Sequence, residues 1–578
     1  MNYTDEKNTL ILIALLKKHG IRKVIASPGG TNVNFVGSIQ NDPFFEIYSS
    51  VDERSAAYIA CGLAAESRES VVISCTGATA SRNYMPGLTE AYYRKLPILA
   101  ITSSQIYSNI GHLSAQMLDR TVMPKDVVKL SIALPVVKDN SDQWDCEVKV
   151  NKALLELNRR GGGPVHINLP TTYNLSFNTK TLPDTRVIRR ITYEDKFPEI
   201  PNGRIAIFLG SHMKMNEKEV SAINAFCKAH DAVVFCDHTS GYKGKYAVLF
   251  SLIACQEKFD IEPFRPDLTI HIGEITGDYY SLRMMGKQVW RVNPDGEIRD
   301  LHKKLHFVFE MSEQVFFERY SNFKNIELSD KYLNICRREL DKIRAKIPEL
   351  PFSNPWIASK IAHQIPSNSV VHLGILNSLR SWNFFEFPPS VTSTCNVGGF
   401  GIDGNTSSLL GASLVQNDRL YFGVIGDLSL FYDINSLGNR HLGPNLRILL
   451  VNNGHGTEFN INKLSAQFKD GVDKFISAGG HNGNQSPEVI NSFSQALGFK
   501  YLSASSKEEF EKVYKIFINP KLTDGPMLLE VFTSGEDEKI AINLMQDIVG
   551  NFSGKVKKIA KNSLGNEHIQ SVKNRFKL

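Results

Sequence analysis

The stretch from Val424 to Phe459, VIGDLSLFYDINSLGNRHLGPNLRILLVNNGHGTEF, constrains the fold more than any other part of the chain. It reads as an apolar strand ending in Gly426-Asp427, a helix of mixed polarity, and a second apolar strand, Ile448 to Val451, that runs into Asn452-Asn453. Two buried strands joined by a helix form a βαβ unit and lie parallel. The Asp and the Asn pair then sit side by side at the carboxyl edge of a sheet, where open α/β sheets bind ligands. Hard oxygen donors at that edge suit Mg²⁺ carrying a diphosphate, and the flanking glycines permit close backbone approach. The same residues also read as an ordinary βαβ unit with a helix-capping Asp.

At 578 residues the chain has room for three domains of ordinary size. No apolar run approaches the roughly 20 residues of a membrane span. Leu10 to Leu16 sits in an amphipathic helix behind Asp5, Glu6 and Lys7, which is not the layout of a signal peptide. The eight cysteines are scattered without a CxxC pair and read as reduced core thiols of a cytoplasmic protein. With 66 basic residues against 60 acidic ones, the net charge of +6 is too weak to argue for nucleic acid. The local exception is 549–578, a basic C-terminal tail in which seven Lys/Arg face Glu567 alone. It reads as a solvated terminus or as a contact for an acidic partner or a membrane surface.

The predicted fold is α/β, with three doubly wound parallel-sheet domains at 1–175, 203–345 and 356–548. In the first, helices and strands alternate: helix Asn8 to His19, strand Lys23 to Ala26, strand Phe45 to Tyr48, helix Glu53 to Glu66, strand Ser70 to Cys75 and strand Pro97 to Thr102. A Thr-, Pro- and charge-rich linker follows, from Asn174 to Asn202. The second domain alternates again through AIFLG, a helix from Asn216, AVVFCDH, LTIHIGE and QVWRVNP. A second linker, Lys346 to Pro355, precedes the third. The first and third domains share size and rhythm.

Three loops of the first domain have the composition of a binding edge. Ser27-Pro28-Gly29-Gly30 ends one strand, and Cys75-Thr76-Gly77-Ala78 ends another and opens a helix, with side chains small enough for a flat ring to reach the backbone. Between them, Glu53 starts a helix, which the helix dipole alone would favour.

In order and type these loops, with the GD and NN pairs, resemble thiamine-diphosphate (ThDP) enzymes. The resemblance implies a pyrimidine-binding first domain, a central domain and a diphosphate-binding third. It implies that Glu53 bonds N1′ of the aminopyrimidine and favours the imino tautomer that takes the proton from C2. Ser27, Pro28, Gly29, Thr76 and Gly77 would line the pyrimidine, and Ile402, behind Gly401, would support the bent cofactor. Asp427, Asn453 and the His455 carbonyl would hold Mg²⁺. Gly426, the Leu428 amide and Ser429 would meet the diphosphate at a helix start, and Asn377 and Ser378 also fall to cofactor binding. Because the family builds its sites between subunits, a homodimer or homotetramer is expected.

Within the family, DERSA, NVGGFGIDG and GDLSLFYDINSL resemble the menaquinone-pathway 2-succinyl-5-enolpyruvyl-6-hydroxy-3-cyclohexene-1-carboxylate (SEPHCHC) synthases. The likeness departs at the arginines that hold carboxylates in those enzymes. SPGSR reads SPGGT with Thr31 last, NRG reads NVG with Val397, and LTADRP reads ITSSQI. Arg82, Arg283 and Arg380 remain as candidate anchors, each also readable as a structural arginine. Thr76-Gly77-Ala78-Thr79 resembles acetolactate-synthase-like carboligases, as does the segment from Gly111 to Gln116. That places Gln116 near the reacting carbon and offers His112 as a proton relay, although His112 also reads as an exposed loop residue. The expected activity is decarboxylation of a small pyruvate-like 2-oxoacid and transfer of the acyl carbanion to an acceptor carbonyl or enone. The alternatives are SEPHCHC synthesis from 2-oxoglutarate and isochorismate, simple decarboxylation, or an inactive ThDP-binding subunit. An FAD-using oxidase is disfavoured by the lack of a clear dinucleotide fingerprint in the central segment.

Overall fold

The computed structural model describes residues 1–321, 330–458, 472–484 and 486–550. The basic tail from residue 551 on and the end of the GD-to-NN stretch, Phe459, lie outside the described residues. The described chain contains three sheets whose strand pairings are all parallel.

The first sheet comprises β1 (Lys23–Ala26), β2 (Glu46–Ser49), β3 (Val71–Cys75), β4 (Ile98–Ser104), β5 (Leu130–Ala133) and β6 (Val165–Pro170), in the order β2-β1-β3-β4-β6-β5. Its inner strands β3, β4 and β6 are buried along their whole length, as a sheet covered on both sides requires. Val24, Val72, Leu99 and Ile101 pack into one core with the helices Lys7–Lys18, Val33–Ile39 and Asn140–Glu156. Their neighbours Ile25, Ile73, Ile98 and Ala100 point the other way, into a second core with the helices Glu53–Ser67 and Met85–Tyr93. The period-two alternation of the strand thus fills two cores at once.

The third sheet comprises β14 (Val370–Leu373), β15 (Thr392–Thr394), β16 (Tyr421–Gly426), β17 (Leu446–Asn452), β18 (Lys500–Ala504) and β19 (Met527–Phe532), in the order β15-β14-β16-β17-β19-β18. Counted within each sheet, this is the order of the first sheet. The similarity of rhythm between the two segments is therefore a similarity of topology, carried without any visible sequence repeat.

Of the central strands, β8 (Ile205–Leu209), β9 (Val233–Cys236), β10 (Ala247–Leu249), β11 (Leu268–Ile272) and β12 (Gln288–Val292) run in the order β10-β9-β8-β11-β12. The helix after β8, Glu217–His230, starts in a capping box made by Asn216 and Glu219. Two further strands, β7 (Arg189–Ile191) and β13 (Leu305–Phe309), pair in parallel.

By compactness the chain divides into two units: 1–197 with 295–310, and 198–294 with 311–578. The segment read from sequence as a linker therefore contains a strand, β7. It is three residues long, and its partner lies more than a hundred residues away, so no local signal marks it. All eight cysteines are unpaired and seven are buried. Among the described residues no helix is long and apolar enough to cross a membrane.

The helix Glu53–Ser67 owes its position to a close approach. Asp52 caps it by accepting from the Arg54 and Ser55 amides at 2.8 and 3.3 Å. Ala57 on its buried face packs on Gly87 of the helix Met85–Tyr93, where an added Cβ would lie 2.4 Å from the Ala57 Cβ. Gly87→Ala must push these helices apart. The expected cost is about 1–3 kcal/mol, read as a lower denaturant midpoint at unchanged slope.

Candidate functional site

The Glu53 side chain stands at the first position of its helix, half-buried. Its carboxylate takes no hydrogen bond from any described residue. It acts electrostatically on Cys75 and Tyr84, so it lies near the end of β3.

There the predicted pyrimidine loops converge. Gly29 runs so close to Thr76 that a Cβ on it would meet the Thr76 Cβ at 2.3 Å, which makes glycine the only tenable residue. The hydroxyls of Thr31 and Thr76 are 2.6 Å apart, and Thr31 donates to the Ser103 carbonyl at 3.0 Å. Thr31 is thus spent on joining three loops of the sheet edge. Ala78, just past Gly77, holds φ 56 and ψ −132, a costly conformation for a residue with a Cβ, at the turn from strand to helix. Ser27 is buried and Pro28 is exposed beside it. The loop from Gly111 to Gln116 is open to solvent, with His112 and Gln116 exposed and Gln116 at φ 60. The Arg82 guanidinium donates to the Asp119 carbonyl at 3.3 Å.

At the edge of the third sheet, Gly426 pairs with Val451, so Asp427 leaves β16 beside the Asn452 end of β17. Asp427 is 3% exposed. Its Oδ1 accepts from the Leu428 amide at 2.9 Å, and its Oδ2 accepts from the Gly454 amide at 2.8 Å. Gly454 reaches that position through a left-handed φ of 82°. Asn452 turns inward to Glu530 and Asn484, at 2.7 and 2.6 Å. Asn453 faces the loop, where its Oδ1 accepts from the His455 amide at 3.4 Å.

The structure brings Ile402 and Ser429 together: the Ile402 carbonyl accepts from Ser429 Oγ at 2.5 Å and from Asn405 Nδ2 at 2.9 Å. Gly401 precedes this contact. The helix expected after Gly426 is a short one, Asp427–Tyr432, followed by a 3₁₀ turn at Ile434–Gly438. Asp433 breaks it, its carboxylate accepting from the Ser407 amide and hydroxyl at 2.6 Å each.

Among the described residues no group of three His, Cys, Asp or Glu side chains could hold a metal. The donors available here are one carboxylate, one amide oxygen and one backbone carbonyl, from Asp427, Asn453 and His455. This all-oxygen set fits a hard divalent cation.

Asn377 and Ser378 open a helix, Asn377–Trp382, behind Leu376 at φ 69. They belong to a buried network that local sequence does not reveal. Asn377 donates to Glu538 at 3.3 Å, Ser378 accepts from Asn354 at 3.2 Å, and Glu538 also accepts from the Asn354 amide at 2.9 Å and from Thr533 at 2.8 Å. His481 was likewise unforeseen. Its Nε2 lies 2.9 Å from Asp427 Oδ2, and its only sequence signal is a Gly-rich loop, AGGHNGN. Arg380 and Arg283, like Arg82, are already engaged. Arg380 is held bidentate by Glu458 at 2.6 and 2.8 Å, and Arg283 donates to the Ala254 and Gln256 carbonyls at 2.7 and 3.2 Å.

These sites define a class of protein: two sheets of the same topology, each presenting one acidic residue at its carboxyl edge beside glycine-rich turns. The model for "Thiamine pyrophosphate enzyme, N-terminal TPP binding domain" matches residues 8–123, which hold the Glu53 helix and the Thr76-Gly77 turn. Proteins named 2-succinyl-5-enolpyruvyl-6-hydroxy-3-cyclohexene-1-carboxylate synthase match nearly the whole chain. That of Bacteroides fragilis is 31% identical over 564 residues, 92% of this chain and 97% of its own length. That of Bacteroides thetaiotaomicron is 31% identical over 558 residues, again 92% and 97%. That of Phocaeicola vulgatus is 30% identical over 567 residues, 93% and 97%. The chain belongs to the thiamine-diphosphate-dependent enzymes, among relatives that form carbon–carbon bonds.

Burial pushes the Glu538 carboxyl up to about 7, against the amide and hydroxyl bonds that favour its charge. An acid raised in the folded state contributes stability that is complete below the unfolded value, near 4.5, and is lost as pH rises through about 7. Glu538→Gln removes this titration. The variant should melt above the wild type at pH 8, by on the order of 3 kcal/mol in stability, with the gap closing below pH 5. A gap that does not change with pH would contradict the burial account.

Proposed function

We propose that this protein is a ThDP- and Mg²⁺-dependent carboligase that decarboxylates a 2-oxoacid and joins the remaining acyl carbon to an acceptor carbonyl or enone. The observation that carries this reading is the Glu53 carboxylate, partly exposed and unbonded at a helix start beside the Thr31–Thr76 edge. A carboxylate without a partner there is free to bond a ring nitrogen.

When bound, ThDP supplies a nucleophilic carbon and an electron sink for the charge left by loss of CO₂. The chain's own residues do the rest. Glu53 holds the proton at the pyrimidine N1′. Gly29, Thr76 and Gly77 present backbone close enough for a flat ring. Ile402, its carbonyl pinned by Ser429 and Asn405, would lie against the cofactor. Asp427, Asn453 and the His455 carbonyl hold the metal, and Ser429 with the Leu428 and Gly426 backbone meets the diphosphate. Gln116 would serve the reacting carbon and His112 would relay a proton, both from the exposed loop after Gly111.

The division into domains at 1–175, 203–345 and 356–548 belongs to this reading, as do a cytoplasmic location and a homodimer or homotetramer with shared sites. Val51, Tyr58 and Ile59, exposed around Glu53, support assembly through that face. The relatives' printed activity, SEPHCHC synthesis, is the second reading, favoured by the match along almost the whole chain.

The test is Glu53→Gln, which keeps size and polarity. Hydrogen–deuterium exchange at C2 of bound ThDP should fall by about 10² to 10⁴-fold, the usual worth of general acid–base help, with ThDP still bound. Exchange at the wild-type rate would refute the role.

A further inference from the structure

Arg120 is the buried cation that the sequence reading did not single out. It is 2% exposed. Its Nη2 donates to Asn168 Oδ1 at 3.2 Å, while Nε and Nη1 are buried and have no acceptor. The groups around it carry no negative charge. Thr102 and Tyr107 bond Asn168 from either side, Cys75 lies close by, and His166 is pushed down to about 3 by burial and by Arg120 itself. No described carboxylate pairs with it.

Its place in the fold matters as much as its lack of a counterion. A Cβ on Gly77 would stand 3.7 Å from Nη1, and 3.4 Å from the carbonyls of Gln116 and Ser103. The guanidinium therefore lies directly behind the Thr76-Gly77 turn, on the edge that Thr31, Thr76 and Ser103 tie together. A buried charge without a counterion is costly, so an anion that reaches it relieves that cost. The planar fork of an arginine suits both oxygens of one carboxylate.

We propose that Arg120 holds a substrate carboxylate at the edge of the first sheet, and that this carboxylate is one the product retains. The inference rests on the carboligase reading above. A cation on the carboxylate that departs as CO₂ would stabilise the starting anion and slow its loss, so the anion held here is a different one. It is either the distal carboxylate of a dicarboxylic donor or a carboxylate on the acceptor. Thr31, committed to Thr76 and Ser103, carries no charge, so the cations on this edge are Arg120 and the exposed Arg82 that acts on it.

The experiment uses the full chain loaded with ThDP and Mg²⁺, as wild type, Arg120→Gln and Arg120→Lys. Calorimetry measures ThDP affinity first, then the binding of two unreactive carboxylates: glutarate, standing for a dicarboxylic donor, and benzoate, standing for a cyclic acceptor. One of the two should bind about 10- to 100-fold more weakly in Arg120→Gln, and Arg120→Lys should recover part of the loss. The probe that weakens identifies the source of the carboxylate. ThDP affinity should be unchanged, and the cofactor-free Arg120→Gln protein should melt at or above the wild type, since an uncompensated charge has been removed. The proposal is overturned if both probes bind within about threefold of wild type, or if neither binds the wild type. It is also overturned if the melting temperature or ThDP affinity falls together with probe binding, which would make Arg120 a structural strut. A wild-type protein that does not bind ThDP would instead overturn the carboligase reading itself.

Discussion

The carboxylate of Asp427 is the point around which the carboxyl edge of the third sheet is organised. It is nearly sealed from solvent and survives there because the Leu428 and Gly454 amides donate to its two oxygens at 2.9 and 2.8 Å. A buried carboxylate needs such donors to replace the hydrogen bonds that water would have made. Their arrangement follows from backbone alone. β16 and β17 pair in parallel up to Gly426 and Val451, and the left-handed Gly454 folds the chain back toward the Asp. A residue with a Cβ at 454 would be strained and would also press on Asn484, 3.1 Å away. The glycine, the parallel register and the acid form one unit.

The first sheet repeats the strand order and uses its edge differently. Its acid, Glu53, stands unbonded at a helix start, held by the Asp52 cap and by the Ala57–Gly87 contact. One acid is satisfied by backbone donors and suited to a fixed cation. The other is left free for a ligand. The two acids thus differ in hydrogen bonding, one satisfied by backbone amides and the other without a hydrogen-bond partner among the described residues.

Much of this was legible in the sequence, for identifiable reasons. The strands Lys23–Ala26 and Val71–Cys75 are short apolar runs bounded by turn residues, and the helix at Glu53 begins with a capping acid, so local signals sufficed. The Gly426-Asp427 and Asn452-Asn453 pairs mark the ends of adjacent strands within a single βαβ unit. What was not legible depends on partners distant in sequence. β7 exists only because β13 pairs with it. Asn377 is tied to Glu538 across 161 positions, and His481 reaches Asp427 across 54. Arg380 reads as available in the sequence but is held by Glu458, and nothing in the sequence marks Arg120 as a buried guanidinium with no described carboxylate beside it. The pairing of a charge is a property of the folded edge, which neither periodicity nor composition encodes.

The most direct test of the account is calorimetric titration of ThDP into the metal-free protein, with and without Mg²⁺, for the wild type and Asp427→Ala. If Asp427 anchors the metal that carries the diphosphate, the wild type should bind ThDP tightly only with Mg²⁺, and the variant should lose more than about 100-fold in affinity while keeping its melting temperature near that of the wild type. Equal, metal-independent affinity in the two proteins would contradict it.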